Sequence, residues 1–346
     1  MKLFYLINEP VLNYQVGYRS TIRKLIEKGH LGDCFFYSFY VKLNEFGFKQ
    51  HLVVEDIIKE VAEFKPDAVL FAHTGNFNFD DEFFMRIQNM LGYRPVFALD
   101  ERDVYGRYVK RLPLQLLKLS AKCDLTFLVC SGGWMFKQFQ NFNNGTSVYL
   151  PHVCDDIHFG KGRPNDTPKK YDVVMIGNLA KSRVPFKSMP GVKERMKVAE
   201  ALYKRHGKRF AVFGAGWEKY PFSAGTIPFF EQEGVLHSSN LSVGVDHFLS
   251  YDQYFSDRLP IALFSGVPHL SWKTPGLELL FKEQEHIYFF GSVEEAVKKT
   301  GTLLSGKNGC ESAIGSKAFK LIETHYTETV RMKKIIKHLN DAKPVA

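Results

Sequence analysis

The sequence predicts an α/β protein built as two halves, each organised around a parallel β-sheet. Three observations support this prediction. Short apolar runs of about five residues alternate with longer segments of helical spacing, which is the pattern of βαβ units. A stretch rich in Pro, Gly and Asp interrupts the alternation at 151–170, after which the pattern starts again. The length of 346 residues also suits two domains, at roughly 100–200 residues each.

In the first half of the chain, we predict a strand where a short apolar run meets a polar turn and a helix where apolar residues recur every three or four positions. The run Lys2–Ile7 stops at Asn-Glu-Pro, and Ala68–Ala72 stops at a polar loop that begins with His73. Leu52 and Val53 are predicted as a short strand ahead of the next helix. In chain order the elements are strand Lys2–Ile7, helix Tyr18–Lys28, helix Val54–Phe64, strand Ala68–Ala72, helix Asp81–Met90, strand Pro95–Leu99, helix Pro113–Ala121, strand Leu125–Cys130 and helix Gly133–Phe139.

The second half repeats the alternation after the linker. Its elements are strand Tyr171–Ile176, helix Gly191–His206, strand Arg209–Phe213, strand Leu241–Val245, helix Tyr254–Phe264, strand Val267–Trp272, strand Ile287–Phe290, helix Ser292–Leu304 and a helical stretch from Ile314 to Leu339. We therefore divide the chain into an N-terminal domain 1–150, a linker 151–170, a second domain 171–310 and a helical tail 311–346. A ligand is expected in the cleft between the domains, at the carboxyl ends of the strands.

The composition is that of a globular protein and excludes disorder over most of the chain, with 45% hydrophobic and 24% charged residues. No apolar run approaches the ~20 residues that span a bilayer. The apolar stretch at the N-terminus is too short for a signal peptide, so we expect a cytoplasmic protein, at most peripheral to a membrane. The five cysteines are scattered without a CxxC pair and indicate neither a disulfide framework nor a zinc site.

The formal net charge of +9 indicates an anionic partner, which is a phosphorylated substrate, a membrane surface or a nucleic acid. Much of the basic excess lies in 161–209, where Lys and Arg far outnumber Asp and Glu. A solvated helix face explains such a run equally simply.

Two glycine turns follow predicted strands of the second domain and would let a phosphate approach the backbone. Gly177 ends one strand and is followed by the cations Lys181 and Arg183, which suit charge-assisted hydrogen bonds to a phosphate. Gly214 and Gly216 lie in Phe-Gly-Ala-Gly-Trp after the next strand. The chain has neither the GxGxxG pattern nor a Walker GxxxxGK[ST] motif, which argues against NAD-dependent dehydrogenases and P-loop kinases.

The most specific segment is 254–268, Tyr-Phe-Ser-Asp-Arg-Leu-Pro-Ile-Ala-Leu-Phe-Ser-Gly-Val-Pro, followed by Pro-Gly-Leu-Glu-Leu-Leu-Phe at 275–281. The charged pair Asp257 and Arg258 opens an otherwise apolar helix, and an arginine there suits bidentate contact with a diphosphate. This segment resembles the C-terminal signature of GT-B glycosyltransferases, most closely the CgeB-like (spore maturation protein) family of the glycosyl transferase group 1 clan. The resemblance covers 149–305, with further matches in Tyr-Leu-Pro-His at 149–152 and in both glycine turns.

The resemblance implies an α/β fold of GT-B architecture, with two Rossmann-like domains facing each other across a cleft. It also implies metal-independent transfer of a sugar from a nucleotide donor, expected to be a UDP-sugar, without a further cofactor. The second domain would hold the donor, and the acceptor would enter from the first. The positions that match the family's donor site are Gly177, Asn178, Arg183, Gly214, Gly216, Trp217, Asp257, Arg258 and Glu278.

One departure from the family leaves the stereochemistry open. Ile261 occupies the position where many relatives carry a glutamate that holds the ribose, and the paired-glutamate motif of the retaining enzymes is absent. The chain also lacks an Asp-x-Asp metal motif, and Asp80-Asp81 is more simply a helix cap.

An inverting enzyme needs a base beside the acceptor hydroxyl. His73 and Asp100 each follow a buried strand of the first domain and are the candidates, although a hydrogen bond within a loop explains each equally well. His152 is expected to order the linker.

The acceptor stays open at this point. It is a cell-envelope or surface glycan, which includes a lipid-linked one, or a hydroxymethylated pyrimidine flipped out of duplex DNA. A non-catalytic nucleotide-sugar-binding protein on the same fold is the third alternative.

Overall fold

Two parallel sheets form the framework in the computed structural model, which describes residues 1–160, 167–180, 187–306 and 310–342. The first sheet has the order β2-β1-β3-β4-β5-β6. Its strands are β1 (Lys2–Ile7), β2 (Asp33–Ser38), β3 (Ala68–Ala72), β4 (Val96–Glu101), β5 (Leu125–Leu128) and β6 (Thr146–Tyr149). Its helices are α1 (Val16–Glu27), α2 (Phe39–Glu45), α3 (Gln50–Phe64), α4 (Asp81–Leu91), α5 (Leu114–Lys122) and α6 (Gly133–Phe142).

The second sheet has the order β11-β10-β9-β7-β8. Its strands are β7 (Tyr171–Ile176), β8 (Phe210–Phe213), β9 (Ser239–Gly244), β10 (His269–Trp272) and β11 (Tyr288–Phe290). The helices of this half and of the tail are α7 (Val192–His206), α8 (Gln232–His237), α9 (Arg258–Phe264), α10 (Val293–Ser305), α11 (Cys310–His325) and α12 (Glu328–Asp341). In both sheets the strand order reverses beside the first strand, between β1 and β3 and between β7 and β9. Open α/β sheets bind ligands at the carboxyl ends of the strands at such switch points.

The tail returns to the first domain. Helix α12 packs beside α1, and its residues Met332, Ile335, Ile336 and Leu339 are buried in one core with residues of β1, β3 and β4. At the crossing, the Cys154 amide donates to the Tyr326 carbonyl and the Glu328 amide donates to the Cys154 carbonyl, each at 2.8 Å.

A loop of the second domain is inserted into the first. Phe248, Tyr251 and Tyr254, which lie between β9 and α9, are buried in the core of the first domain, and the Tyr251 hydroxyl donates to the Tyr105 carbonyl. The two domains are therefore held together at two places, by this loop and by the tail.

Several predicted elements differ from the structure. Strands β2 and β6 were not predicted; β6, Thr-Ser-Val-Tyr, is a half-buried edge strand with little apolar character. Leu52 and Val53 belong to helix α3 and form no strand. Helix α9 begins at Arg258 rather than at Tyr254, because Tyr254 is drawn into the core of the first domain and Ser256 bonds the Asp246 carboxylate.

Candidate donor and acceptor sites in the interdomain cleft

The loops after β7 and β8 lie directly on each other. The Gly177 amide donates to the Phe213 carbonyl, and the Leu179 amide donates to the Ala215 carbonyl, both at 2.8 Å. In return the Asn178 side-chain oxygen accepts from the Ala215 amide at 2.9 Å. These backbone contacts fix the position of both glycine turns at the carboxyl edge of the sheet.

The glycines of the second turn are required by this close packing. Gly214 and Gly216 have φ angles of 146° and 92°, which side-chain-bearing residues rarely adopt. A Cβ on Gly214 would lie 2.6 Å from the Gly177 carbonyl oxygen, and one on Gly216 would lie 2.5 Å from the Leu179 carbonyl oxygen. Trp217 is fully buried behind them and donates its ring N–H to the Gly177 carbonyl at 2.7 Å. The tryptophan therefore holds the two loops together from behind. Because its ring is buried, it does not itself offer the surface for a nucleoside that the sequence predicted.

Two arginines, Arg195 and Arg258, form a cation cluster beside Gly177, and the His247 ring lies against Arg195. A Cβ built on Gly177 would lie 3.5 Å from Arg195 Nη1 and 3.7 Å from Arg258 Nε. Arg195 donates to the carbonyls of Val245 and Asn178 and to His247 Nε2, the last at 3.2 Å. Arg258 faces Asp246 at 3.8 Å. In the described part of the chain, the hydrogen-bond acceptors of Arg195 are thus carbonyls and an imidazole.

Burial and the neighbouring charges set the protonation states of this cluster. Burial and the neighbouring Arg258 lower the pKa of Arg195 to about 9, so both arginines are charged at neutral pH. Burial, Arg195 and Arg258 lower the pKa of His247 to about 4, so its ring is neutral and accepts from Arg195. The carboxylate of Asp246 acts on both guanidinium groups, and that of Asp257 acts on Arg258 as well. A site of this kind favours an anion with several oxygens.

The other predicted donor residues lie in different surroundings. Asp257 precedes α9 and faces the cavity between the domains. Glu278 is exposed in a short 3-10 turn, Leu277–Leu279, after β10. Arg183 lies outside the described residues.

A cavity of about 670 Å³ separates the domains. The first domain lines it with the carboxyl ends of β1, β3 and β4 and with the start of α1, and the second domain contributes Phe229, Phe230 and Asp257. His152 and Val153 of the linker and Glu328 of the tail complete the wall. The clustering of strand ends from one domain opposite loops of the other is the expected place for a second substrate.

His73 lies in this cavity, as its position after β3 predicts. Its Nδ1 is 2.7 Å from Glu101 Oε1, and its Nε2 is 3.5 Å from Asp103 Oδ2. Burial opposes a charge on the ring, but Glu101 and then Asp103 outweigh it and raise the pKa of His73 to about 9. The backbone φ of His73 is 45°, a left-handed conformation uncommon for a residue with a side chain. Burial also raises the pKa of Glu101, against the effect of the His73 charge. His73 is therefore held in place beside a buried carboxyl group, with its own pKa above neutral.

Asp100 is fully buried, and its carboxylate is taken up by two arginines. Arg331 of α12 binds both of its oxygens at 2.7 Å, and Arg102 Nε binds Oδ2 at 2.9 Å. Burial opposes its charge, yet Arg102 and Arg331 hold the pKa of Asp100 well below its ordinary value. Arg102 in turn binds both oxygens of Glu328 at 2.9 Å. This geometry argues against Asp100 as a base and makes it an anchor for the tail.

Sequence reasoning missed Arg195, His247 and Glu101. Arg195 carried a signal: it lies on the buried stripe of α7 together with Val198, Ala199 and Leu202, where a charge is unusual. No comparable signal marks His247 or Glu101, because their importance depends on neighbours far along the chain.

The comparisons with known proteins agree with this architecture. The family described as "Glycosyl transferase-like" matches residues 195–337. Among curated proteins no sequence relative was found.

Many solved structures share the fold. The HepE protein of Anabaena, crystallised with UDP and glucose, has 11% sequence identity and a TM-score of 0.63, covering 99% of this chain and 100% of that one. Sucrose-phosphate synthase from Thermosynechococcus elongatus has 12% identity and a TM-score of 0.65, with coverage of 99% and 100%. A glycosyltransferase from Rickettsia africae has 12% identity, a TM-score of 0.64 and coverage of 98% of both chains. The predicted GT-B fold, two Rossmann-like domains facing each other across a cleft, is therefore confirmed.

Proposed function

We propose that this chain is a glycosyltransferase that transfers a sugar from a nucleoside-diphosphate-sugar to the hydroxyl of an uncharged saccharide. The observation that carries the proposal is the meeting of the Arg195 and Arg258 guanidinium groups beside the Gly177 turn. The family match and the shared fold support this proposal. We further propose that the chain belongs to the CgeB-like group. A UDP-sugar is the proposed donor, since HepE of the same fold was crystallised with UDP.

The cation cluster suits the diphosphate of the donor. Breaking the bond between the sugar and the phosphate leaves a negative charge on the diphosphate, and fixed cations that stabilise this charge lower the barrier. The N-terminus of the 15-residue helix α7 adjoins the same segment, because a Cβ on Gly191 would lie 2.2 Å from the Asp246 carbonyl oxygen. Helix N-termini also favour phosphate. Two arginines and a helix N-terminus can stabilise the leaving group alone, so we propose that transfer is independent of metal and of any further cofactor.

The chemistry of the cavity favours an uncharged acceptor. Its described lining includes the carboxylates of Asp103, Asp155 and Asp257, while Arg102 is the one arginine or lysine and is already bound to Asp100 and Glu328. Carboxylates are good acceptors for sugar hydroxyls and repel phosphates.

Aromatic rings complete this saccharide site. Phe229 and Phe230 expose 44% and 45% of their surface, and their ring centroids lie 5.2 Å apart at an angle of 82°. Tyr14 of the opposite domain is 63% exposed and lines the same cavity. Such rings offer apolar faces to the C–H side of a sugar ring.

Duplex DNA is a poorer match for this cavity. A DNA substrate needs lysines and arginines that neutralise several phosphates. The cations of 161–209 are absent from the cavity lining as far as the structure describes that segment. A glycan of the cell envelope or surface, free or lipid-linked, is therefore the proposed acceptor.

A two-stage assay tests the proposal. Thermal unfolding is measured with UDP-, GDP-, CMP- and TDP-sugars, and the true donor at 100 times its Kd should stabilise the fold by about 2.7 kcal/mol. Release of the nucleotide is then measured with methyl glycosides and with duplex DNA containing hydroxymethylcytosine, in 50 and 200 mM salt. We expect release with a glycoside and little dependence on salt. Binding of none of the donors would refute the proposed activity, and release with DNA alone would refute the proposed acceptor.

A further inference from the structure

We propose that His152, and not His73, is the base that takes the proton from the acceptor hydroxyl. This inference rests on the proposed glycosyl transfer. Both histidines line the interdomain cavity, but their surroundings place them in opposite protonation states. A pair of titratable groups whose environments separate their pKa values commonly divides the roles of donor and acceptor of protons.

Both ring nitrogens of His73 face carboxylates. Nδ1 lies 2.7 Å from Glu101 Oε1 and Nε2 lies 3.5 Å from Asp103 Oδ2, and Lys110 Nζ lies 2.9 Å from that same Asp103 oxygen. A neutral imidazole has only one N–H and would turn a lone pair toward one of these carboxylates. Both nitrogens of His73 are thus engaged by carboxylates, and neither is free to accept a proton from a substrate hydroxyl.

The contacts of His152 are of the opposite kind. In the described chain neither ring nitrogen of His152 has a hydrogen-bond partner, and the ring packs edge-on against Tyr254 with centroids 6.1 Å apart. The backbone on either side is fixed, since the Pro151 carbonyl accepts from Arg331 Nε and the Cys154 amide donates to Tyr326. The ring is therefore positioned by packing, with both nitrogens available to a ligand in the cavity.

Burial and two neighbouring arginines favour the neutral form of His152. Burial is the largest effect, and the guanidinium groups of Arg331 and Arg102 act in the same direction. The carboxylates of Asp257 and Asp103 oppose them, and the pKa of His152 is lowered to about 4. A nucleoside diphosphate beside Arg258 brings negative charge next to Asp257, and we expect it to raise the pKa of His152 toward the range in which a base works well.

The proposed step is a direct displacement. The acceptor oxygen forms a bond to the anomeric carbon while the bond from that carbon to the phosphate oxygen breaks. The bonding electrons leave with the nucleoside diphosphate, whose charge Arg195 and Arg258 stabilise. The hydroxyl proton moves to a ring nitrogen of His152. Displacement from the opposite face inverts the anomeric centre, so the product configuration is part of the proposal.

Nuclear magnetic resonance of the histidine rings tests the protonation states without any turnover. The spectra are recorded from pH 4 to pH 10 on the full chain and on His152→Asn and His73→Asn, which assign the two signals. We expect a neutral His152 and a charged His73 at pH 7, and an upward shift of the His152 titration when UDP is added. A charged His152 or a neutral His73 at pH 7 would overturn the proposal.

Kinetics then tests the role in transfer. With UDP-glucose and methyl glycosides, His152→Ala should lower kcat by about 10²- to 10⁴-fold, the usual contribution of a general base. UDP should bind unchanged, and added imidazole should restore part of kcat in His152→Ala but not in His73→Ala. His206→Asn, at the far end of α7, is the matched control for a histidine replacement.

The outcomes separate the inference from the proposed function. A wild-type chain that binds UDP and transfers sugar, together with a His152→Ala variant of unchanged kcat, refutes the role of His152 alone. Retention of the anomeric configuration in the product refutes it as well. A wild-type chain that neither binds UDP nor releases it refutes the proposed function and this inference with it.

Discussion

Replacing Asp100 with Asn should destabilise the first domain strongly, because the carboxylate is the centre of a buried ionic network. Asp100 is fully buried and Arg331 is 1% exposed at its side chain. Asn keeps the shape but leaves Arg331 and Arg102 with one carboxylate, that of Glu328, between them. Breaking a buried, hydrogen-bonded ion pair in this way costs about 3–5 kcal/mol.

Urea unfolding measures this effect directly. Trp134 is the single tryptophan of residues 1–150 and reports on the first domain if the other two are replaced by Phe in the chain used for unfolding, while sugar transfer is measured with all three tryptophans present. Asp103→Asn is the matched control, because Asp103 lies three residues further on, is 43% exposed and pairs with Lys110 at 2.9 Å. An exposed pair of this kind contributes at most about 1 kcal/mol. If Asp100→Asn unfolds like the wild type while sugar transfer is lost, Asp100 acts in the chemistry and the structural interpretation is wrong.

Three further predictions follow from single positions. Gly216→Ala should weaken UDP binding and lower stability, since its Cβ would lie 2.5 Å from the Leu179 carbonyl oxygen, whereas Gly234→Ala has nothing within 4 Å and should be neutral in thermal unfolding and calorimetry. Burial lowers the pKa of His269, which is 5% exposed, to about 4. The contribution of the neutral ring to stability is therefore fully present above about pH 6.5 and is lost as the pH falls toward 4. The free energy of unfolding of the wild type should fall by about 3 kcal/mol between pH 6.5 and pH 4, and this loss should be missing in His269→Gln. Phe230→Ala should raise KM for the saccharide while KM for the donor stays the same; an equal rise in both would contradict an acceptor platform.

The sequence predicts those parts of the molecule whose signal is local. Ala68–Ala72 is a five-residue apolar run, and the structure has a strand of the same five residues. The glycine turn after β8 was also predicted, on the ground that it lets a ligand approach the backbone. In the structure Gly214 and Gly216 are needed because the backbone of the neighbouring loop packs against them. A local sequence pattern thus predicts an element and its position, but it does not predict which part of the molecule packs against that element.

Contacts between distant residues account for what the sequence could not predict. Asp100 and Arg331 are separated by 231 positions, and nothing in the sequence near Asp100 indicates that an arginine of the tail binds its carboxylate. In the same way Tyr254 leaves the predicted helix because the first domain buries it. His152 was expected to order the linker, and the structure adds that it lines the cavity between the domains.

Metal dependence offers a check on how the leaving group is stabilised. If Arg195 and Arg258 carry that role, transfer should proceed at the same rate in EDTA, and loss of activity that Mg²⁺ or Mn²⁺ restores would contradict it. The structure describes no helix long and apolar enough to cross a bilayer.

The most direct measurement is calorimetric titration of UDP into the wild type and into Arg258→Gln. Arg258 is 30% exposed, and its nearest ionic partner, Asp246 at 3.8 Å, keeps its bonds to Ser256, so the variant should fold normally. Loss of a charge-assisted contact with phosphate costs about 1.5–3 kcal/mol, which corresponds to a roughly 10- to 150-fold weaker Kd. Arg209→Gln, which removes an exposed arginine paired with Asp172 in the same domain, should bind UDP like the wild type. Equal affinity of Arg258→Gln and the wild type would contradict the placement of the diphosphate at the cation cluster.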